Sequence, residues 1–153
     1  MKVGELCSRN VVTVNAAAPV IEAARLMCEQ CVGAVIVTAA PADGTVAVGV
    51  VTDRDIVRAQ LDRAVDMSQL RLADVMARDP LVLNEDDGVE EAIHRLRSRG
   101  VRRAPVISSS GALTGVISFD DLLGYISANV AALASLTDRQ HDRAVAARSA
   151  ARA

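Results

Sequence analysis

The sequence predicts an α+β fold in which one strand-helix-strand-strand-helix unit occurs twice. Three observations carry this. Shifting the chain by 69 positions lays Val3–Val37 on Leu72–Val106, with Arg9/Arg78, Asn15/Asn84, Val20/Val89, Glu22/Glu91, Ala23/Ala92, Val32/Val101 and Val37/Val106 identical. Each copy has one amphipathic helix, and each ends in a pair of β-rich runs joined by turn residues.

The elements follow in order. Val11-Val12-Thr13-Val14 and Pro80-Leu81-Val82-Leu83 read as short strands. A helix follows each: Val20, Ala23, Ala24 and Met27 fall at i, i+3, i+4 and i+7, as do Val89, Ala92, Ile93 and Leu96. That spacing makes one apolar stripe. Ala34–Thr38 and Val46–Val51 then form a strand pair around a loop with Pro41 and Asp43-Gly44, and Ala104–Ile107 and Leu113–Ile117 a second around Ser108–Gly111. The first loop is three residues longer, so the offset drops to 66 and Gly49–Ile56 lies on Gly115–Leu122. Strand-helix-strand should cross over parallel and right-handed, and the next pair should be antiparallel.

These readings divide the chain into a first copy at 1–66, a second at 67–127 and a helical tail at 128–153. A unit of this size buries little alone, so the two should pack sheet to sheet about a pseudo-twofold axis, with function in the groove between them. Tyr125 to Leu136 continues a helical pattern through Ile126, Val130 and Leu133, whereas Asp138–Ala153 is Ala- and Arg-rich with a poor stripe. A fraying surface helix is expected there; a helix docked on a second subunit is the sharper alternative.

Composition limits the function. Of 153 residues, 51% are hydrophobic and 24% charged, which excludes a disordered chain. Lys+Arg 17 against Asp+Glu 19 argues against duplex nucleic acid, which needs a basic face. Phe119 and Tyr125 are too few rings for a single-strand platform. No apolar run has the length of a membrane span, and Glu5 interrupts any leader-like start. The expected location is cytoplasmic, in keeping with three cysteines, an odd number.

Thr52-x-x-Asp55 and Ser118-x-x-Asp121 each stand where a strand becomes a helix. One reading is a capping box, hydroxyl and acid satisfying orphan N–H groups. The other uses the same geometry on a ligand. A helix N-terminus favours phosphate, and an ionised Asp can accept from both hydroxyls of a ribose. The Gly-Val-Val and Gly-Val-Ile runs before them would give a base an apolar floor.

The duplicated unit, ending in Gly-Val-Val-Thr-Asp-Arg-Asp-Ile and Gly-Val-Ile-Ser-Phe-Asp-Asp-Leu, resembles a pair of cystathionine-β-synthase (CBS) domains, a Bateman module. Val101–Val106 and Asp74–Pro80 carry the same likeness, which covers about residues 1–127. With no catalytic or transport sequence attached, the chain is similar to stand-alone bacterial CBS pairs. The resemblance implies an adenosyl ligand (AMP, ADP, ATP or S-adenosylmethionine) in the clefts between copies. Asp55 and Asp121 would hold ribose, Thr52 and Ser118 would approach phosphate, and Arg102, Arg103, Ala104 and Pro105 would border adenine and phosphate. It also implies disc-like homodimers made of four CBS units. On the sensor reading, an unidentified protein partner could read the ligand-bound state.

The copies differ where a ligand would sit. Gly33-Ala34 faces Arg102-Arg103, Ile36 faces Pro105, and Arg54 faces Asp120. Phosphate is therefore expected on Arg54 with Arg102 or Arg103, from opposite copies, and the two clefts should not be equivalent. Arg95, Arg97 and Arg99 read as a solvated helix face. Cys28-Glu29-Gln30-Cys31 has too few companion ligands for zinc and reads as small buried or semi-buried residues, with a thiol switch as alternative. Cys31 stands where the second copy has Gly100. No P-loop, G-x-S-x-G, G-x-G-x-x-G or H-E-x-x-H occurs, so no catalysis and no required cofactor are expected. The leading reading is a ligand sensor. The alternative is a dimerisation module with vestigial clefts.

Overall fold

The computed structural model describes residues 1–39 and 46–150, with side chains described as far as residue 136. The loop predicted around Pro41 and Asp43-Gly44 lies outside the described residues. In order, the elements are α1 (Val3–Leu6), β1 (Thr13–Asn15), α2 (Val20–Glu29), β2 (Ala34–Ala39), β3 (Val46–Thr52), α3 (Asp53–Arg63), α4 (Leu72–Val75), β4 (Ala77–Arg78), β5 (Leu83–Asn84), α5 (Val89–Arg99), β6 (Arg103–Ile107), β7 (Leu113–Ser118) and α6 (Phe119–Ala150). Residues through Ser118 form one compact unit, and α6 begins the next.

The duplication is present at the level of register. β1 runs parallel to β2 with Val14 opposite Val37, and β5 parallel to β6 with Leu83 opposite Val106. β2–β3 and β6–β7 are antiparallel, and both ladders shift at the same place, Val37/Thr38 and Val106/Ile107. The apolar stripes are buried as the spacing requires: Val20, Ala23 and Met27 on α2, Val89, Ala92 and Leu96 on α5. The first strand of each copy is shorter than its β-rich run predicts. Pairing starts only at Thr13 and Leu83. Pro80 has no N–H to give a ladder, and Val12 contributes only a carbonyl, to Ile36 N–H at 3.0 Å.

The copies are joined by a reciprocal exchange of their N-terminal segments. Val3 N–H donates to Asp87 O (2.9 Å), and Leu72 N–H to Ala18 O (3.0 Å). Gly4 N–H donates to Glu85 O, and Ala73 N–H to Ala16 O. Each pair maps onto the other by the 69-residue shift. β4 adds to β3 as a fourth strand, with Ala77 opposite Val50, and Ser8 bridges Val116 in the same way. Leu72 accordingly packs in the core of the first copy with Val14, Val37, Val51 and Ile56. The crossing segments pass directly over a glycine. A Cβ on Gly49 would meet Met76 Sδ at 2.6 Å, and one on Gly115 would meet Cys7 Sγ at 2.6 Å and Ser8 O at 2.9 Å. Cys7 is thus the counterpart of Met76, a buried thiol filling the crossing.

Helix α6 runs unbroken from Phe119 to Ala150, so the tail continues the last helix of the second copy. Leu123, Ile126, Val130, Leu133 and Leu136 are exposed along it.

Candidate functional site: a cationic cleft between the copies

The strand-to-helix corner of the first copy is built as predicted. Thr52 ends β3 in an extended conformation, and its hydroxyl accepts from Asp55 N–H (3.2 Å). Asp55 Oδ2 accepts from Thr52 N–H (3.0 Å) and from Thr52 Oγ1 (2.6 Å). One carboxylate oxygen therefore closes the capping box. The other, Oδ1, accepts no hydrogen bond among the described residues. The cap and the ligand contact are thus compatible, because they use different oxygens of one side chain.

Beside this corner opens a cleft of about 700 Å³. Its first wall is Gly33, Val50, Thr52, Asp53, Arg54 and Asp55. The crossing segment Ala77–Leu81 and the turn Arg99–Arg103 complete its lining. The size is that of a small-molecule site. Five arginines (54, 78, 99, 102, 103) face three aspartates (53, 55, 79), a formal excess of two positive charges in a chain whose net charge is −2. The lining is net cationic, as an anion site requires.

The arginines are not equivalent. Arg78 donates from Nη2 to Ala73 O (2.9 Å), and Arg99 from Nη2 to Asp79 Oδ2 (3.1 Å) in an exposed pair. The guanidinium groups of Arg54 and Arg103 make no hydrogen bond or ion pair among the described residues. Both line the cleft, one from each copy. Gly33 lies beside Asp53 and Arg103: a Cβ there would be 3.5 Å from Asp53 Oδ2 and 4.0 Å from an Arg103 guanidinium nitrogen. Gly33 O also accepts Asp53 N–H (3.2 Å), tying the start of β2 to the start of α3. Asp79 reaches the cleft through a left-handed backbone, φ 55, just before Pro80. The right-handed α region is disfavoured before proline, and Asp tolerates the left-handed region better than most residues.

Of the residues expected to bind, Thr52, Arg54, Asp55, Arg102 and Arg103 line this cleft. Ala104 and Pro105 lie one and two positions further along β6, fully buried in the sheet. Ser118 ends β7, and Asp121 lies in the first turn of α6. Sequence reasoning missed Gly33, Asp53, Arg78, Asp79 and Arg99. Arg78 had a signal, its identity with Arg9 across the repeat. Arg99 was hidden in the arginine run, whose reading as a solvated face holds for the exposed Arg97 and Arg99 and needs correction at Arg95. Arg95 is half-buried and clamps Asp87 Oδ2 (2.9 Å) and Val82 O (2.7 Å), and Arg99 turns to the cleft.

The cysteine reading also needs correction. Cys28 and Cys31 are exposed, not buried. Cys28 lies off the Val20–Ala23–Met27 stripe, and Cys31 occupies the turn that closes α2. Among the described residues no three His, Cys, Asp or Glu side chains gather where a metal could be held, and no helix is long and apolar enough to cross a membrane.

A tandem α+β repeat with a cleft between its copies defines a paired-repeat module. The family model for the CBS domain matches residues 3–62 and 72–128, and the chain belongs to that family. It is 32% identical to the hexameric CBS-CP12 protein from bloom-forming cyanobacteria, over 80% of this chain and 69% of that one, with a TM-score of 0.69. It is 27% identical to a CBS domain protein from Pyrobaculum aerophilum complexed with AMP, over 79% of this chain and 89% of that one, also with a TM-score of 0.69. An uncharacterized protein of Methanopyrus kandleri is 27% identical over 80% of this chain. This chain covers 61% of that relative's length.

Proposed function

We propose that this protein is a non-catalytic regulatory module that binds an adenine nucleotide in the cleft between its two CBS motifs, residues 1–66 and 67–127. The supporting observation is the pair Arg54 and Arg103, one from each copy, whose guanidinium groups make no hydrogen bond or ion pair among the described residues and line the cleft with the Thr52–Asp55 corner. A phosphate between them would complete both guanidinium groups by charge-assisted hydrogen bonds. Asp55 Oδ1 would take the ribose, Thr52 would approach phosphate, and Val50 would lie under the base. The AMP complex of the Pyrobaculum relative supports the ligand class.

The charge of the cleft refines the choice. S-adenosylmethionine carries a sulfonium cation, which an excess of arginine disfavours, whereas AMP, ADP and ATP gain with each phosphate. A ligand touching both copies would shift the population toward one arrangement of them, and a protein partner could read that shift. Titration calorimetry on the full chain tests this: AMP, ADP and ATP should bind, adenosine less tightly, and S-adenosylmethionine least. Absence of nucleotide binding at millimolar concentration overturns the reading.

A second reading, homodimerisation, has its own observation. α2 and α3 flank an apolar groove of about 350 Å³ lined by Ala24, Met27, Cys28, Ile56, Val57, Leu61 and Met67. Val57 and Leu61 are 59% and 77% exposed, and Gln60 Oε1 is buried there without a hydrogen-bond donor among the described residues. A second copy would cover the apolar side chains. If this were the only function, the melting temperature would be indifferent to nucleotide, whereas a ligand of the native state raises it.

A further inference from the structure

Neither reading explains the thiols at the end of α2. Cys28 and Cys31 stand three residues apart across one helical turn, both exposed, while Cys7 is buried. Cys31 has a left-handed backbone, φ 52, and closes the helix with Val32 N–H on Met27 O (3.0 Å). The second copy makes the same turn with Gly100, φ 64. Glycine is the residue such a turn favours, so backbone geometry gives no reason for a thiol at 31. Its side chain folds back over the turn, with Cys31 Sγ 3.8 Å from Cys28 O. The Cα atoms of residues three apart in a helical turn lie about 5 Å from each other, within the Cα separation a disulfide spans.

We propose that Cys28 and Cys31 form a reversible redox site for a low-molecular-weight disulfide of the glutathione class, coupled to the cleft. Cys31 lies outside the apolar groove, so it meets the oxidant first. Its thiolate attacks one sulfur of the small disulfide, forming a mixed disulfide and expelling one small thiolate. The Cys28 thiolate then attacks Cys31 Sγ, the Cys28–Cys31 bond forms, and the second small thiolate leaves. Two protein thiols are oxidised, one small disulfide is reduced to two thiols, and the two protein protons end on the released thiols. Exposure and a neighbouring resolving thiol are the features that make such a pair sensitive. The coupling follows from the chain: two residues past Cys31, Gly33 lines the cleft and holds Asp53 N–H. A bridge across the turn constrains that wall. The coupling rests on the nucleotide reading; the redox site does not.

The reduced full chain is equilibrated with graded mixtures of reduced and oxidised glutathione, natively and in urea, then quenched by alkylation and mapped by mass spectrometry. A Cys28–Cys31 linked peptide is expected, with Cys7 unmodified in the native chain. The native turn should favour the bridge about tenfold or more over the unfolded chain, because its thiols are already held close. Cys31→Gly, which suits the left-handed turn, should fold and never bridge. Glutathione adducts without a bridge, or a native chain that bridges no better than the unfolded one, overturn the site. AMP affinity is then compared between the two forms, and a change of about fivefold or more is expected. Equal affinities overturn the coupling. Failure of both forms to bind AMP removes the nucleotide reading, and the coupling with it, while the redox site stands on the mapping alone.

Discussion

After α2 the chain runs Cys31-Val32-Gly33-Ala34 into β2; after α5 it runs Gly100-Val101-Arg102-Arg103 into β6. Both turns pass through a left-handed residue, and both return a main-chain N–H to the helix, Val32 to Met27 O and Val101 to Leu96 O. The backbones repeat and the side chains do not. The first turn offers an empty notch and a thiol, the second two guanidinium groups. The strand-to-helix corners diverge likewise, Thr-Asp-Arg-Asp against Ser-Phe-Asp-Asp. Duplication thus supplies a frame in which each cleft wall comes from a different copy. Substitution then sets the charge of that cleft without disturbing the frame.

The largest expected effect breaks the frame itself. Gly115→Ala should destabilise the protein by about 2 kcal/mol, because its methyl group would press on Cys7 Sγ and on the fixed Ser8 carbonyl. Gly49→Ala, at the equivalent crossing, meets the longer, movable Met76 side chain first and the Ala77 carbonyl only at 3.0 Å, and should cost less, about 1 kcal/mol. Paired urea melts measure the difference, and equal losses would mean that the crossings are not packed as described.

Next comes the charge of the cleft. Arg54→Ala and Arg103→Ala should each weaken AMP about tenfold, near the lower end for hydrogen bonds to charged groups, and weaken adenosine little. Equal losses for the two ligands would show that these arginines do not meet phosphate. A smaller effect is expected at the cap: Thr52→Ala should cost about 1 kcal/mol in thermal melts, and Thr52→Ser should recover most of it. Smallest is the turn. Cys31→Gly should stabilise by about 0.5–1 kcal/mol, and Gly100→Ala should destabilise by a similar amount. Opposite signs at equivalent positions are the check that both residues are held left-handed for the same reason.

The repeat, the two stripes, the hairpins and the Thr52–Asp55 cap could all be read from the sequence, because each is a local pattern set by backbone periodicity and hydrogen-bond chemistry. The corner's arginine, Arg54, and the pair Arg102-Arg103 could be read too, as departures from an otherwise repeated pattern. Arg78, Asp79 and Arg99 could not be assigned. They reach the cleft only because Ala77–Arg78 crosses to pair with β3 and because Asp79 turns left-handed before Pro80. Local spacing also left the cysteines ambiguous: the number of residues between them says nothing about which face of the turn meets solvent.

By itself the sequence determined that this chain is two like halves, where each helix starts, and which halves differ in charge. The tertiary structure decided that each half lends its first segment to the other's sheet, and so which side chains share one cleft. The physical reason is that helix stripes and caps are satisfied by neighbours along the chain, whereas an exchanged strand is satisfied only by hydrogen-bonding groups about 30 to 110 residues away, a separation that no local pattern records.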